Sequence, residues 1–138
     1  MRHLVFVYGT LKRGGGNNRL LESARCEGAG VTVQAYGMER NGSPRVYRDA
    51  PKGYAAPVVG EVYCVDDETL ARLDSLERHP DWYRREQVPV KTAGGVVLAW
   101  LYFMPVTHMT AAHDLFKRPV YVNGDARHIW ESRYAAAL

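Results

Sequence analysis

One stretch constrains the fold more than any other. Val58 to Val65 reads as a strand with two alternating faces: Val58, Gly60, Val62 and Cys64 against Val59, Glu61, Tyr63 and Val65. Without a break, Asp66-Asp67-Glu68 opens a helix. Acidic side chains suit that position because they accept hydrogen bonds from the free N–H groups of a first turn and oppose the positive end of the helix dipole. His79-Pro80 stops the helix, since the residue before a proline avoids the helical region. Strands dominate the rest of the chain. His3 to Tyr8 is apolar on both faces and reads as a central strand. Val31 to Glu39 reads as another, and Pro44 to Pro57 as a loop with one short strand. Arg85 to Lys91 and Val96 to Met104 form a hairpin across Thr92-Ala93-Gly94-Gly95. Asn18 to Arg25 is expected to be a short helix carrying Leu20 and Leu21. A second short helix is expected after the Asn123-Gly124-Asp125 turn, capped by Asp125 and anchored by Ile129, Trp130 and Tyr134. Strands outnumber helices with no regular alternation, which predicts an α+β fold on a mixed or antiparallel sheet that can close into a barrel.

The 138 residues show no internal repeat and no long linker, so a single domain over 1–138 is expected. A net charge of +3, with the charges interspersed, lacks the clustered Lys/Arg of a nucleic-acid surface. The N-terminal apolar run is too short for a signal-peptide core or a membrane span, which makes a cytoplasmic protein with no membrane partner the expectation. Cys26 and Cys64 form no CxxC pattern; Cys64 is expected to be a buried thiol, and a disulfide between the two stays open. His3, His79, His108, His113 and His128 show no HExxH spacing, so no metal is expected. His108 and His113 with Asp114 read as surface or loop residues, and Trp82, Trp100 and Trp130 as core or pocket walls.

Two places carry chemistry. In 67-DETLARLDSLE-77 each residue turns the helix by about 100°. With Leu70 at zero, Leu73 falls at roughly 300°, Leu76 at roughly 240° and Glu77 at roughly 340°. Glu77 therefore projects from the apolar face at the helix's C-terminal end. Burial, the negative end of the dipole and the lack of a basic neighbour on that face all disfavour its charged form. A carboxyl tuned upward in this way can take and give a proton near neutral pH. Two other readings stay open: fraying at residue 76 into solvent, or pairing with Arg84 or Arg85. The second place is Tyr8-Gly9-Thr10-Leu11, at the end of the first strand. Gly9 permits a turn, after which successive N–H groups of Gly9, Thr10 and Leu11 can converge on an anion such as a carboxylate. The glycines at 14 to 16 lack the Gly-Lys-Ser/Thr ending of a phosphate loop and read as a surface loop.

VFVYGTLKRG near the N-terminus, GEVYCVDDETLARLDSLE in the middle and then HPDWYRR resemble the γ-glutamylcyclotransferase-like family, and within it the γ-glutamylamine cyclotransferases. The resemblance spans roughly residues 3 to 104, with a weaker echo in NGDARHIW. It implies a small mixed, mainly antiparallel β-barrel with a few flanking helices. It implies an enzyme that releases 5-oxoproline and a free amine from a γ-glutamyl amine or γ-glutamyl-amino acid, with no cofactor. Under it the catalytic glutamate falls on Glu77. The substrate-binding positions fall on Tyr8, Gly9, Thr10 and Leu11, on Tyr83, with Arg85 two residues later, and on Tyr102. Leu76 departs from the pattern, standing where a close relative often has an aromatic. So do the glycine-rich loop and the lack of a Trp directly after Gly-Asp. The alternative is a non-catalytic module that holds an acidic small molecule or a partner in the same pocket.

Overall fold

The computed structural model describes residues 1–9, 11–12, 16–39, 44–105 and 116–130. Five strands close into a barrel: β1 (Arg2–Val7), β2 (Arg25–Thr32), β5 (Val59–Asp66), β6 (Arg84–Thr92) and β7 (Gly95–Phe103), in the order β1-β5-β2-β6-β7. All neighbours pair antiparallel except at the closure, where β1 meets β7 in parallel at Val5 and Trp100. Two small hairpins decorate the barrel, β3 (Gly37–Met38) with β4 (Val46–Tyr47) and β8 (Val120–Val122) with β9 (Asp125–Arg127). The helix α1 (Asp67–Glu77) leaves β5 directly, and a 3₁₀ turn spans Asn18–Leu21. The Asp66 side chain caps α1 by accepting the Thr69 N–H at 2.8 Å.

β1 is apolar on both faces because each face has something to bury. Phe6 points into the barrel with Val62, Val88, Val90, Leu101 and Phe103. Val5 and Val7 point outward and are covered by Leu70 and Leu73 of α1. Leu73 is fully buried, and burying each such leucine contributes roughly 1.5–3 kcal/mol. The barrel is narrow enough that side chains are excluded at one point of its wall. Gly30 and Gly60 face each other across β2 and β5. A Cβ on Gly60 would lie 2.3 Å from the Val7 carbonyl oxygen and 2.6 Å from the Phe6 ring.

Three secondary-structure expectations are corrected. The strand expected over Val31 to Glu39 is displaced: β2 ends at Thr32, and beyond it Gly37 and Met38 form β3, flanked by isolated bridges at Tyr36 and Glu39. The expected helix over Asn18 to Arg25 shortens to the 3₁₀ turn, because Arg25 already belongs to β2. The helix expected after Asn123-Gly124 is a strand instead. Asn123 (φ 52°) and Gly124 (φ 87°) form a two-residue hairpin turn, whose positive φ values match the twist of the flanking strands. Ile129 and Trp130 are half-buried as expected of anchors, while Tyr134 lies outside the described residues. Cys26 and Cys64 are both free and both half-buried, so Cys64 is less enclosed than its apolar neighbours imply. His108, His113 and Asp114 lie outside the described residues. Among the described residues no helix is long and apolar enough to cross a membrane.

Candidate active site

A cleft of about 200 Å³ opens where β1 ends beside the C-terminus of α1. β1 and the turn after it contribute Phe6, Val7, Tyr8, Gly9 and Leu11 to its walls; α1 contributes Leu76 and Glu77. Tyr83, Tyr102, Asn17 and Pro44 complete it. Glu77, Tyr8, Gly9, Leu11, Tyr83 and Tyr102, six of the seven residues expected at a site, thus meet in one cavity. The seventh, Thr10, lies outside the described residues.

Glu77 is the last residue of α1, and the helix holds to that point. Arg78 adopts the left-handed conformation (φ 55°) and its N–H reaches the Asp74 and Ser75 carbonyls. The His79 N–H donates to Asp74 O at 2.9 Å, and the Tyr83 N–H to Glu77 O at 3.1 Å. This wrapped C-terminus rules out fraying at residue 76 and folds Tyr83 back over the helix end. Glu77 does not pair with the nearby arginines either. Arg84 donates to Pro80 O at 3.3 Å. Arg85 is held by a different carboxylate, Asp74, with Nε to Oδ1 at 2.8 Å and Nη2 to Oδ2 at 3.1 Å. The Glu77 carboxyl has no side-chain hydrogen bond or ion pair among the described residues. Burial alone pushes it up, from an ordinary 4.5 to about 7.

Asp74 is the residue that sequence reasoning missed. The Tyr102 hydroxyl donates to its Oδ1 at 2.6 Å. Burial pushes the Asp74 carboxyl up, but hydrogen bonds from Arg85 and Tyr102 outweigh it and hold the group below the usual carboxylate range. The helix rule contains the signal: Asp74 falls at roughly 40°, on the other flank of Leu70 from Glu77. Two carboxylates three residues apart on one helix are thus pushed in opposite directions, one held ionised by its partners, the other without a side-chain partner among the described residues and raised to about 7. Environments that separate a pair in this way are a feature of acid/base sites.

The three tyrosines around Glu77 differ in what their hydroxyls do. Tyr8 donates to Tyr102 O at 2.7 Å. Tyr102 donates to Asp74, so it offers the cleft its ring rather than its proton. Tyr83 has no hydroxyl hydrogen bond among the described residues; burial, then the Glu77 charge, raises its phenol far above the ordinary value. At the strand end, the Lys12 N–H donates to Gly9 O at 2.9 Å and closes a turn. Gly9 is not in the left-handed region. Its lack of a side chain matters for space instead, because a Cβ would sit 3.0 Å from Pro44 Cγ. Among the described residues no three His, Cys, Asp or Glu side chains cluster as metal ligands would.

A five-stranded mixed barrel in which, among the described residues, one α-helix brings a half-buried carboxyl to a cleft at the end of the first strand is the γ-glutamylcyclotransferase-like fold. The crystal structure of a mouse AIG2-like protein superimposes with a TM-score of 0.69 at 29% identity, covering 84% of this chain and 88% of that one. The chain belongs to the family described as gamma-glutamyl cyclotransferase, AIG2-like, which its sequence matches over residues 5–135. A Methanocaldococcus jannaschii protein provisionally named a gamma-glutamylcyclotransferase is 43% identical over 103 residues, 73% of this chain and 83% of that protein. The zebrafish (Danio rerio) gamma-glutamylaminecyclotransferase B is 32% identical over 144 residues, 96% of this chain and 73% of that protein.

Proposed function

We propose that this protein is a γ-glutamyl cyclotransferase that acts on γ-glutamyl amines or γ-glutamyl-amino acids, with Glu77 as its general acid/base. The substrate carries its own nucleophile. Its α-amino nitrogen attacks the γ-carbonyl carbon, a five-membered ring closes, the amide C–N bond breaks, and 5-oxoproline and a free amine leave. The protein has two tasks. It must hold the γ-glutamyl chain in the ring-closing shape, which raises the effective concentration of the amine at the carbonyl. It must also carry one proton from the α-amino nitrogen, which attacks as the neutral amine, to the departing nitrogen. A carboxyl that titrates near 7 is suited to both halves of that transfer. In this reading Tyr8, Gly9, Thr10 and Leu11 receive the glutamyl α-carboxylate, and backbone amides of the same stretch also stabilise the oxyanion. Tyr83 and Tyr102 wall the other side.

The observation that carries this reading is the Glu77 carboxyl, half-buried inside the cleft and without a side-chain partner among the described residues. A module that only bound an acidic ligand would lose affinity by keeping a carboxylate beside the anion, whereas a proton carrier requires it. The test is a panel of γ-glutamyl-amino acids, γ-glutamyl-ε-lysine and glutathione, with 5-oxoproline measured. Release from at least one compound is expected. Saturable binding of the panel with no 5-oxoproline from any member would establish the non-catalytic alternative.

A further inference from the structure

The acid/base reading requires Glu77 to stay unbonded in a cleft walled by three phenols, any of which would donate to a carboxylate within reach. Two of them are turned to other acceptors. Tyr8, just past β1, donates to Tyr102 O and has the Val46 amide on its oxygen. Tyr102, on β7, donates to Asp74 Oδ1. Asp74 in turn is gripped at both oxygens by Arg85 of β6. That guanidinium lies 4.3 Å above the Trp100 ring, and the Arg85 N–H donates to Nδ1 of His79 at 3.2 Å. We propose that Asp74 is a positioning residue for Glu77: by accepting the Tyr102 hydroxyl's hydrogen bond, while Arg85 fixes it and balances its charge, Asp74 keeps that phenol from donating to the Glu77 carboxylate. The proposal rests on the acid/base role given to Glu77 above.

The physical consequence is specific. With Asp74 removed, the Tyr102 hydroxyl is a buried donor without an acceptor, a costly state. Glu77 is the open acceptor in the same cavity, and Tyr102 is already within its electrostatic reach. A hydrogen bond to the ionised form lowers a carboxyl's pKa, which makes Glu77 a weaker base. Tyr8 at the end of β1, Tyr83 after α1 and Tyr102 on β7 interact with it, and Asp74, His79 and Arg85 are the titratable and charged groups next to them. Tyr83, whose hydroxyl has no partner among the described residues, is unchanged in every variant, so the group besides Tyr102 that the loss of Asp74 newly frees to act in the same direction is Arg85. The two are separable because a phenylalanine at 102 abolishes one and leaves the other.

The experiment follows the Glu77 carboxyl carbon by NMR across pH in the wild type, Asp74→Ala, Tyr102→Phe and the double variant, and measures 5-oxoproline release on the same samples. Asp74→Ala is expected to move the Glu77 midpoint down by about one pH unit, with kcat falling more than KM rises. The double variant is expected to return the midpoint to the wild-type position. Tyr102→Phe alone is expected to leave it unmoved, because in the wild type that hydroxyl is engaged by Asp74. An unmoved midpoint in Asp74→Ala overturns the proposal, and so does a midpoint that stays low in the double variant. Should Asp74→Ala fail to fold, Tyr102→Phe decides: an upward movement would show that Tyr102 already donates to Glu77. The titration needs no turnover. A protein that releases no 5-oxoproline would sink the catalytic reading while the role of Asp74 is still read directly.

Discussion

Ionising Glu77 inside the cleft opposes folding as well as enabling proton transfer. Its folded-state value is raised from 4.5 to about 7. The native protein therefore favours the neutral form, and this stability contribution is complete below about 4.5. It is lost progressively as pH rises through 7. Glutamine cannot ionise, so the stability of Glu77→Gln relative to wild type should climb between pH 5 and 7 and level off above 7. The full climb is about 3 kcal/mol at roughly 1.4 kcal/mol per pH unit. Urea denaturation of both proteins at pH 5, 6, 7 and 8 measures it; a flat difference would mean that Glu77 is solvated. This residue was legible in the sequence because apolar spacing on a helix fixes direction, and one carboxylate stood on the wrong face. Asp74 obeys the same geometry. Its partners Arg85 and Tyr102 lie on strands 11 and 28 residues away, and nothing local in the chain announces such a pairing.

At the scale of elements, the existence and face of α1 were readable because its signals are local: acidic residues open it and the chain turns at His79-Pro80. The β6–β7 hairpin was legible for the same reason. β2 was not. Its sequence, RCEGAGVT, carries two glycines and two charges, and so reads as anything but a strand. Those glycines answer to neighbours distant in sequence. Gly28 (φ 111°) sits at the register shift between Cys26 and Gly28, and Gly30 is pressed against Val90 and Val62. Close packing of this kind erases the local pattern that would reveal it. The account predicts that Gly60→Ala destabilises the barrel by at least ~2 kcal/mol, because the added carbon collides with backbone and an aromatic ring rather than with a flexible side chain. Gly16→Ala, with nothing within 4 Å of the new carbon, should stay within about 0.5 kcal/mol. Urea midpoints of the two variants test this, and equal effects would contradict the tight β1–β5 approach.

Across the whole molecule, barrel and helix converge on the cleft that holds Glu77, and its described walls explain what that cleft should and should not select. Glu77 and the strand-end turn both act on a γ-glutamyl head. Beyond the head the described walls are Leu76, 40% exposed, with Pro44 and Asn17, none of them cationic. Arg85, a cation close by in sequence, is taken by Asp74. A small γ-glutamyl amine should accordingly react at least as well as glutathione, whose second carboxylate would need a partner. A kcat/KM preference for glutathione beyond about tenfold, roughly 1.4 kcal/mol, would reveal a second anion site.

The central claim is that the half-buried Glu77 carboxyl moves the proton, and Glu77→Gln tests it most directly. The measurement is kcat for 5-oxoproline release from the best substrate of the panel, together with Kd for a non-reactive γ-glutamyl analogue, on wild type and variant side by side. Glutamine keeps the shape of the cleft and removes the titrating group. The account predicts a fall in kcat of at least about a hundredfold with Kd changed by less than about threefold, roughly 0.65 kcal/mol. Retention of more than about 5% of wild-type kcat, above the loss expected when a general acid/base is removed, would contradict it.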